Sequence, residues 1–340
     1  MFKHISIILL LFLSFEKENV YFTKNISPSN MVKIFKKMNI TLKGRIGLKV
    51  HSGEKGGKYF LSPDFLQEIY DFTNGTFIES NTAYPGNRHS TDLHKELLEY
   101  NGWTKKNRRF VIMDEDPNSD FKLNISNPEM ISENIVGSHL KDFDSCLVLS
   151  HFKGHQMGGF GGALKQLSIG FASQAGKAWI HSAGRTSNWT MAFKPETSQS
   201  KFTTSMGDAA SSIAEYFRKK GGIAFINVMA NISTICDCFG PIAPDPQIHD
   251  IGILASIDPV ALDKACLDLI RKNEDKGTEK WLNQLKNLLG ENTVYVAEKH
   301  KIGSREYNLI DIDQNYLFYI VIISVFFSLV IIGGVVWFLI

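Results

Sequence analysis

The chain has 340 residues, 44% hydrophobic and 21% charged, which is enough apolar material to bury the core of one large domain or two ordinary ones. Its 37 basic residues nearly balance 35 acidic ones, for a net charge of +2, and this excludes the basic surplus that a nucleic-acid binder presents. Four cysteines are too few for a disulfide scaffold.

At the N-terminus, Lys3 is followed by Ile5–Phe15, apolar except for Ser6 and Ser14. That length matches the apolar region of a secretory signal peptide and is too short to span a bilayer, so residues 1–15 are expected to be a signal. A helix is predicted over 27–38, with Met31, Ile34, Phe35 and Met38 on one face. The run "RIGLKVH" (45–51) predicts a strand, and 62–75 predicts a helix opening at Ser62-Pro63 and stopping at Gly75. Further strands are predicted at 75–80, 108–113, 145–151, 222–230 and 250–256. Helices are predicted at 90–102, 207–222, 258–272 and 277–290, with Asp258 before Pro259 as an N-cap and Asp263 as a surface charge. The polar stretch 114–135 reads as a long loop or a domain junction, and the basic run 104–109 as a solvated loop. Strands separated by helices of this length imply crossover connections. The expected fold is therefore α/β, a largely parallel sheet with crossover helices, in two lobes.

Residues 316–340 carry no charge. Twenty-five helical residues would reach ~37 Å against a bilayer core of ~30 Å, so a transmembrane helix is expected there. An α/β ectodomain over 16–315, on the lumenal or extracellular side of a single-pass anchor, follows. Six Asn-x-Ser/Thr sequons, at Asn25, Asn39, Asn74, Asn124, Asn188 and Asn231, are compatible with glycosylation. The competing topologies are a cytosolic tail-anchored protein and a lipid anchor attached near Ser304 or Asn308.

In a parallel sheet, ligands bind beyond the carboxyl ends of the strands. The stretch "LSHFKGHQMGGFGGALKQLSIGF" (149–171) follows one such end, and sets His151, Lys153, His155 and Lys165 around Gly158, Gly159, Gly161 and Gly162. It fits neither a phosphate-binding P-loop nor a dinucleotide fingerprint. The glycines are expected to expose backbone N–H groups to an anion or a flat cofactor. Histidine can transfer protons or ligate a metal, and His181 lies close by in sequence. A buried lysine can serve as a nucleophile or covalent anchor. Cys236 and Cys238 form a C-x-C pair that either ligates a metal or packs as thiols, and no ferredoxin-type run is present. His51, in a polar cluster with Lys49 and Glu54, and the pair Arg88 and His89 follow two other strands and could line the same cleft.

The blocks "KVHSGEKGGKYFLSPDF", "NTAYPGNRHS", "SHFKGHQMGGFGGALKQLSIGFAS", "CDC" and "DIGILASIDPVALDKACLDL" resemble the domain-of-unknown-function 362 family, often labelled as iron–sulfur-centre-like. The chain has no ferredoxin module, and Phe171 stands where members often carry Cys. More distantly, His155, Lys165 and His181 have the spacing of a loop in the nickel-pincer lactate racemases. That similarity implies His155 as the acid/base group, Lys165 as the cofactor anchor and His181 as a metal ligand. His51 and His89 are then candidates for a second acid/base group. A nickel or iron centre, and proton or hydride exchange on a small hydroxy acid whose carboxylate is held by Arg88 or a lysine, would follow. The alternatives are a non-catalytic, membrane-tethered binding module and an iron–sulfur or other metal-centre protein.

Overall fold

The computed structural model describes residues 17–314 except 117, 194 and 195, without the side chains of 237 and 238. The chain runs β1 (Glu18–Thr23), α1 (Pro28–Lys37), β2 (Ile46–Lys49), α2 (Gln67–Thr73), β3 (Thr76–Glu79), α3 (Thr91–Tyr100) and β4 (Phe110–Ile112). A small hairpin, β5 (Phe121–Asn124) with β6 (Glu133–Val136), precedes β7 (Ser145–His151). A second, β8 (Lys153–His155) with β9 (Gly159–Gly161), leads into α4 (Ala163–Lys165), α5 (Gln174–His181), α6 (Trp189–Ala192) and α7 (Gln199–Arg218). Then follow β10 (Ile223–Met229), β11 (Gly252–Ser256), α8 (Pro259–Arg271), α9 (Thr278–Asn287), α10 (Gly290–Lys299) and β12 (Tyr307–Asp311).

Eight strands form one sheet in the order β12-β1-β11-β10-β7-β2-β3-β4. All pairs are parallel except the two made by β11. The α/β expectation holds, but one continuous sheet replaces the two lobes. Its central strands are buried on both faces, and their side chains alternate between two apolar clusters. Ile223, Phe225 and Met229 join the cluster under α7 and α8, while Ala224, Ile226 and Val228 join the one under α1 and α2. On α1, Met31, Ile34 and Phe35 are buried as the periodicity predicts.

Three expectations change for physical reasons. Helix α2 begins only at Gln67, because Ser62-Pro63 opens turns rather than the helix. Helix α7 begins at Gln199 under a Ser198 cap, eight residues before Gly207. Gly207 is not a boundary but a contact point: a Cβ there would lie 2.5 Å from Val296 of α10, so only glycine lets the two helices approach. The stretch 114–135 is neither structureless nor a junction, since β5 and the start of β6 lie in it.

Among the described residues no helix is long and apolar enough to cross a membrane. The expected signal (1–15) and transmembrane helix (316–340) lie outside the described residues.

Candidate functional site

From β2 the chain winds outward through β3 and β4, then returns to the other side of β2 as β7 and continues to β10. The winding direction reverses between β2 and β7, and loops leaving their carboxyl ends diverge there and open a crevice. His51 follows β2, Glu79 ends β3, and Ser150 and His151 end β7. With segments 153–170, 177–181 and Cys236 they enclose a cavity of about 130 Å³. That is small against the ~300–1,000 Å³ of sites for drug-sized ligands.

One wall is a closed ion network. Arg88 donates from Nε and Nη2 to Glu54 Oε1, at 3.0 and 2.7 Å, and from Nη1 to Glu79 at 3.2 Å. The other Glu79 oxygen accepts from the Ser52 N–H at 2.7 Å. Burial disfavours the Glu79 charge, yet Arg88 and Lys49 hold its carboxyl well below the usual range. Buried His94 sits between Ser52 Oγ and Asn81 Oδ1, each 3.1 Å away. Lys49 is fully buried and donates to Val50 O at 2.6 Å and Gln166 Oε1 at 3.0 Å; burial lowers its amine to about 8. The His51 ring receives the Gly53 N–H on Nδ1 at 3.1 Å and lies 3.2 Å from Arg88 Nη2; burial, then Arg88, push it down to about 3.

The opposite wall is built by the hairpin β8–β9 and helices α4 and α5. His155 Nδ1 accepts the N–H groups of Met157 and Gly158 at 3.1 and 3.0 Å, which places the ring proton on Nε2. Burial and nearby Lys165 lower this imidazole to about 4, so it is neutral at pH 7. The N–H groups that open α4 are already taken: Ala163 and Leu164 donate to the Asp263 carboxylate at 2.9 and 2.8 Å. Burial raises that carboxyl to about 6. After Lys165 the helix widens into a π turn, Gln166–Gly170, a local distortion frequent at functional sites. On α5, Lys177 is buried and its Nζ donates to Ala172 O at 2.6 Å. Burial, despite nearby Asp114 and Glu79, brings this amine down to about 7.

Three polar groups lining the cavity have no partner among the described residues. The Lys165 ammonium makes no hydrogen bond or ion pair. Ser150 Oγ and His181 Nδ1 are buried and unbonded. The His181 ring stacks on Phe202, with centroids 4.5 Å apart, and burial keeps it neutral well below the usual imidazole range.

Of the residues singled out in the sequence, His51, Arg88, Lys153, His155, Gly161, Gly162, Lys165, His181 and Cys236 line the cavity. His89 does not: it packs edge-on against Trp189 and faces Tyr84 O. Gly158 and Gly159 do not either, since they pack on Met206 and Gly290. Gly159 thus serves to bring backbone against Gly290, and Asp263, expected on the surface, fills the anion position at the start of α4 beside Gly162. Asp258 caps α8 as expected. The side chain of Cys238 lies outside the described residues. Glu79 and Lys177 escaped the sequence analysis. The available signal was an ionisable residue inside an apolar run, "TFIES" and "AGKAWI".

A resident metal does not fit the described side chains. No three His, Cys, Asp or Glu groups among them converge as a metal would require, and His181 offers one unpaired nitrogen rather than a ligand set.

This is an α/β protein with a small, cation-rich cavity at the carboxyl ends of its parallel strands. Residues 46–268 match the family model described as a domain of unknown function (DUF362), and the chain belongs to that family. No curated protein matches it. It is similar to a crystal structure of a Thermotoga maritima protein from a structural genomics consortium, at 16% identity and a TM-score of 0.41, over 80% of this chain and 58% of that one. It is also similar to a lactate racemase apoprotein from Thermoanaerobacterium thermosaccharolyticum, at 13% identity and a TM-score of 0.38, over 61% of this chain and 50% of that one. The chain thus spans 58% of the first structure and half of the second.

Proposed function

We propose that this protein binds a small hydroxy or oxo carboxylate in the carboxyl-end cavity and exchanges a proton at the adjacent carbon. The observation that supports this is the set of unmatched groups lining the cavity: Lys165 Nζ, Ser150 Oγ and His181 Nδ1. Folded proteins rarely leave buried polar atoms such as Ser150 Oγ and His181 Nδ1 unbonded. A carboxylate with a neighbouring oxygen would give partners to an ammonium, a hydroxyl and a ring nitrogen together. The sign of the cavity agrees, since Arg88, Lys153 and Lys165 line it against the single carboxylate of Glu79. Arg88 is already engaged by Glu54 and Glu79, so Lys165 is the better carboxylate holder. His51 and His155, both kept neutral by burial, are groups that can hold or pass a proton there.

Calorimetric titration with lactate tests the binding. One site per chain is expected, weakened about tenfold or more, ~1.4 kcal/mol, by Lys165→Met. Deuterium appearing at the lactate C2 in D2O, followed by NMR, tests the exchange. Binding without exchange leaves a non-catalytic module, and absence of any carboxylate binding sinks the proposal.

The same reading tethers the domain to a membrane through the uncharged segment 316–340. Strands β1 and β12 run in the same direction as β7 and β10, so the chain leaves the described domain at the end of the sheet that carries the cavity. Resistance of the full chain to carbonate extraction, lost on truncation after residue 314, is the expected result. A gel shift on endoglycosidase treatment would place the domain in the lumen.

A further inference from the structure

Lys177 is a cavity lysine that the binding proposal leaves without a task. Its amine is interior, and its only polar partner among the described residues is the Ala172 carbonyl at 2.6 Å. No carboxylate lies within ion-pair distance of it among those residues. The charged groups around it are mixed: Asp114 and Glu79 against Lys49 and Arg88. Asp114 is occupied in capping, accepting the N–H groups of Asn81 and Gln174, each at 2.8 Å. Helix α5 holds Lys177 firmly, with Ser173 accepting the Gly176 N–H through its side chain and the Lys177 N–H through its carbonyl.

The other lysines differ. Lys49 sits 3.8 Å from Glu79 and is not in the cavity wall. Lys153 has the His151 ring nitrogen at 3.4 Å. Lys165 is only half-buried. A lysine enclosed without a counter-charge tends to give up its proton, and a neutral amine facing a small cavity is a nucleophile.

From this placement we propose that Lys177 forms an imine with the carbonyl of a small 2-oxo carboxylate held in the cavity. The inference rests on the carboxylate-binding proposal. In the step, the Nζ lone pair attacks the carbonyl carbon, a C–N bond forms and the C=O π bond breaks to give a carbinolamine. The carbon–oxygen bond then breaks, the oxygen leaves as water with the two amine hydrogens, and C=N remains. No oxidant or reductant takes part.

The test uses the full chain with pyruvate and borohydride, followed by intact mass and peptide mapping. Borohydride reduces an imine to a stable secondary amine, so one reduced pyruvate is expected on the peptide carrying Lys177, in preference to Lys165, Lys153 and surface lysines. Excess lactate, which lacks the carbonyl, should suppress the labelling by competition. Lys177→Arg should abolish it while still binding lactate. Should that variant fail to fold, the mapping on the unaltered chain decides alone. Lactate binding without selective labelling of Lys177, or labelling at Lys165 instead, overturns the imine and leaves the carboxylate site standing. Failure of both lactate and pyruvate to bind overturns both.

Discussion

The two walls of the cavity contain similar residue types and do opposite things. On the β2–β3 side, Arg88 binds Glu54 and Glu79, His94 is held between Ser52 and Asn81, and the large charges cancel locally. On the α4–α5 side, Lys165 and His181 leave polar atoms unmatched, as does Ser150 at the end of β7, and Lys177 has one carbonyl for company. A saturated network resists change, because removing any member strands the others in a low dielectric. An unsaturated wall costs stability in the free protein and recovers it when a ligand supplies the missing partners. Burial alone therefore does not mark the receptive residues, whereas burial without partners at the cavity does.

This contrast can be broken by substitution. The largest effect is expected from Arg88→Met, which strands two buried carboxylates; a loss of about 3–5 kcal/mol in urea unfolding follows from the cost of splitting a buried ion pair. A loss below about 1 kcal/mol would show that the network is not the rigid wall.

The pH dependence of Lys177 comes next. Its amine falls from 10.5 to about 7 on folding, because burial penalises the charge. Between those values the unfolded chain holds a proton that the folded chain has released, so stability rises with pH across about 7 to 10.5. Below 7 the penalty of the buried charge is complete. The stability of the wild type minus that of Lys177→Met should therefore increase over this window, and a flat difference would mean that Lys177 is solvated in the folded protein.

Asp263→Ala should cost about 1–3 kcal/mol, since two N–H groups of α4 and the Asn227 amide lose their acceptor. Asp263→Asn should cost less, because one acceptor oxygen remains; thermal unfolding of both variants compares them.

The smallest effect belongs to the unmatched wall. His181→Phe should change stability by no more than about 1 kcal/mol, with no hydrogen bond lost at Nδ1 and the stacking on Phe202 retained. A large loss would reveal a bonding partner and erase the difference between the walls.

Much of this was legible in the residues. The strands ending at 49, 79 and 151 announce themselves by short apolar runs bounded by turns, and the cluster after each is where the crevice opens. His155, Lys165 and His181 do reach one cavity. Strand β12 was not legible: it is short and partly exposed, and it becomes a strand only by pairing with β1 from the far end of the chain. His89 was misjudged because its neighbour Arg88 points inward, whereas His89 turns to Trp189.

By itself the sequence determined the α/β class, the carboxyl-end position of the polar loops and most helix faces, because periodicity and turn chemistry act within a few residues of each other. The tertiary structure alone decided which charges are cancelled. Glu79 meets Arg88 from a separate loop, and Asp263 crosses from α8 to take the N–H groups that the glycine-rich stretch had seemed to offer a ligand. Lys177 and His181 become distinctive only once packing removes water from one face of α5. Charge pairing and desolvation depend on distance in space, and a chain's order does not carry that information.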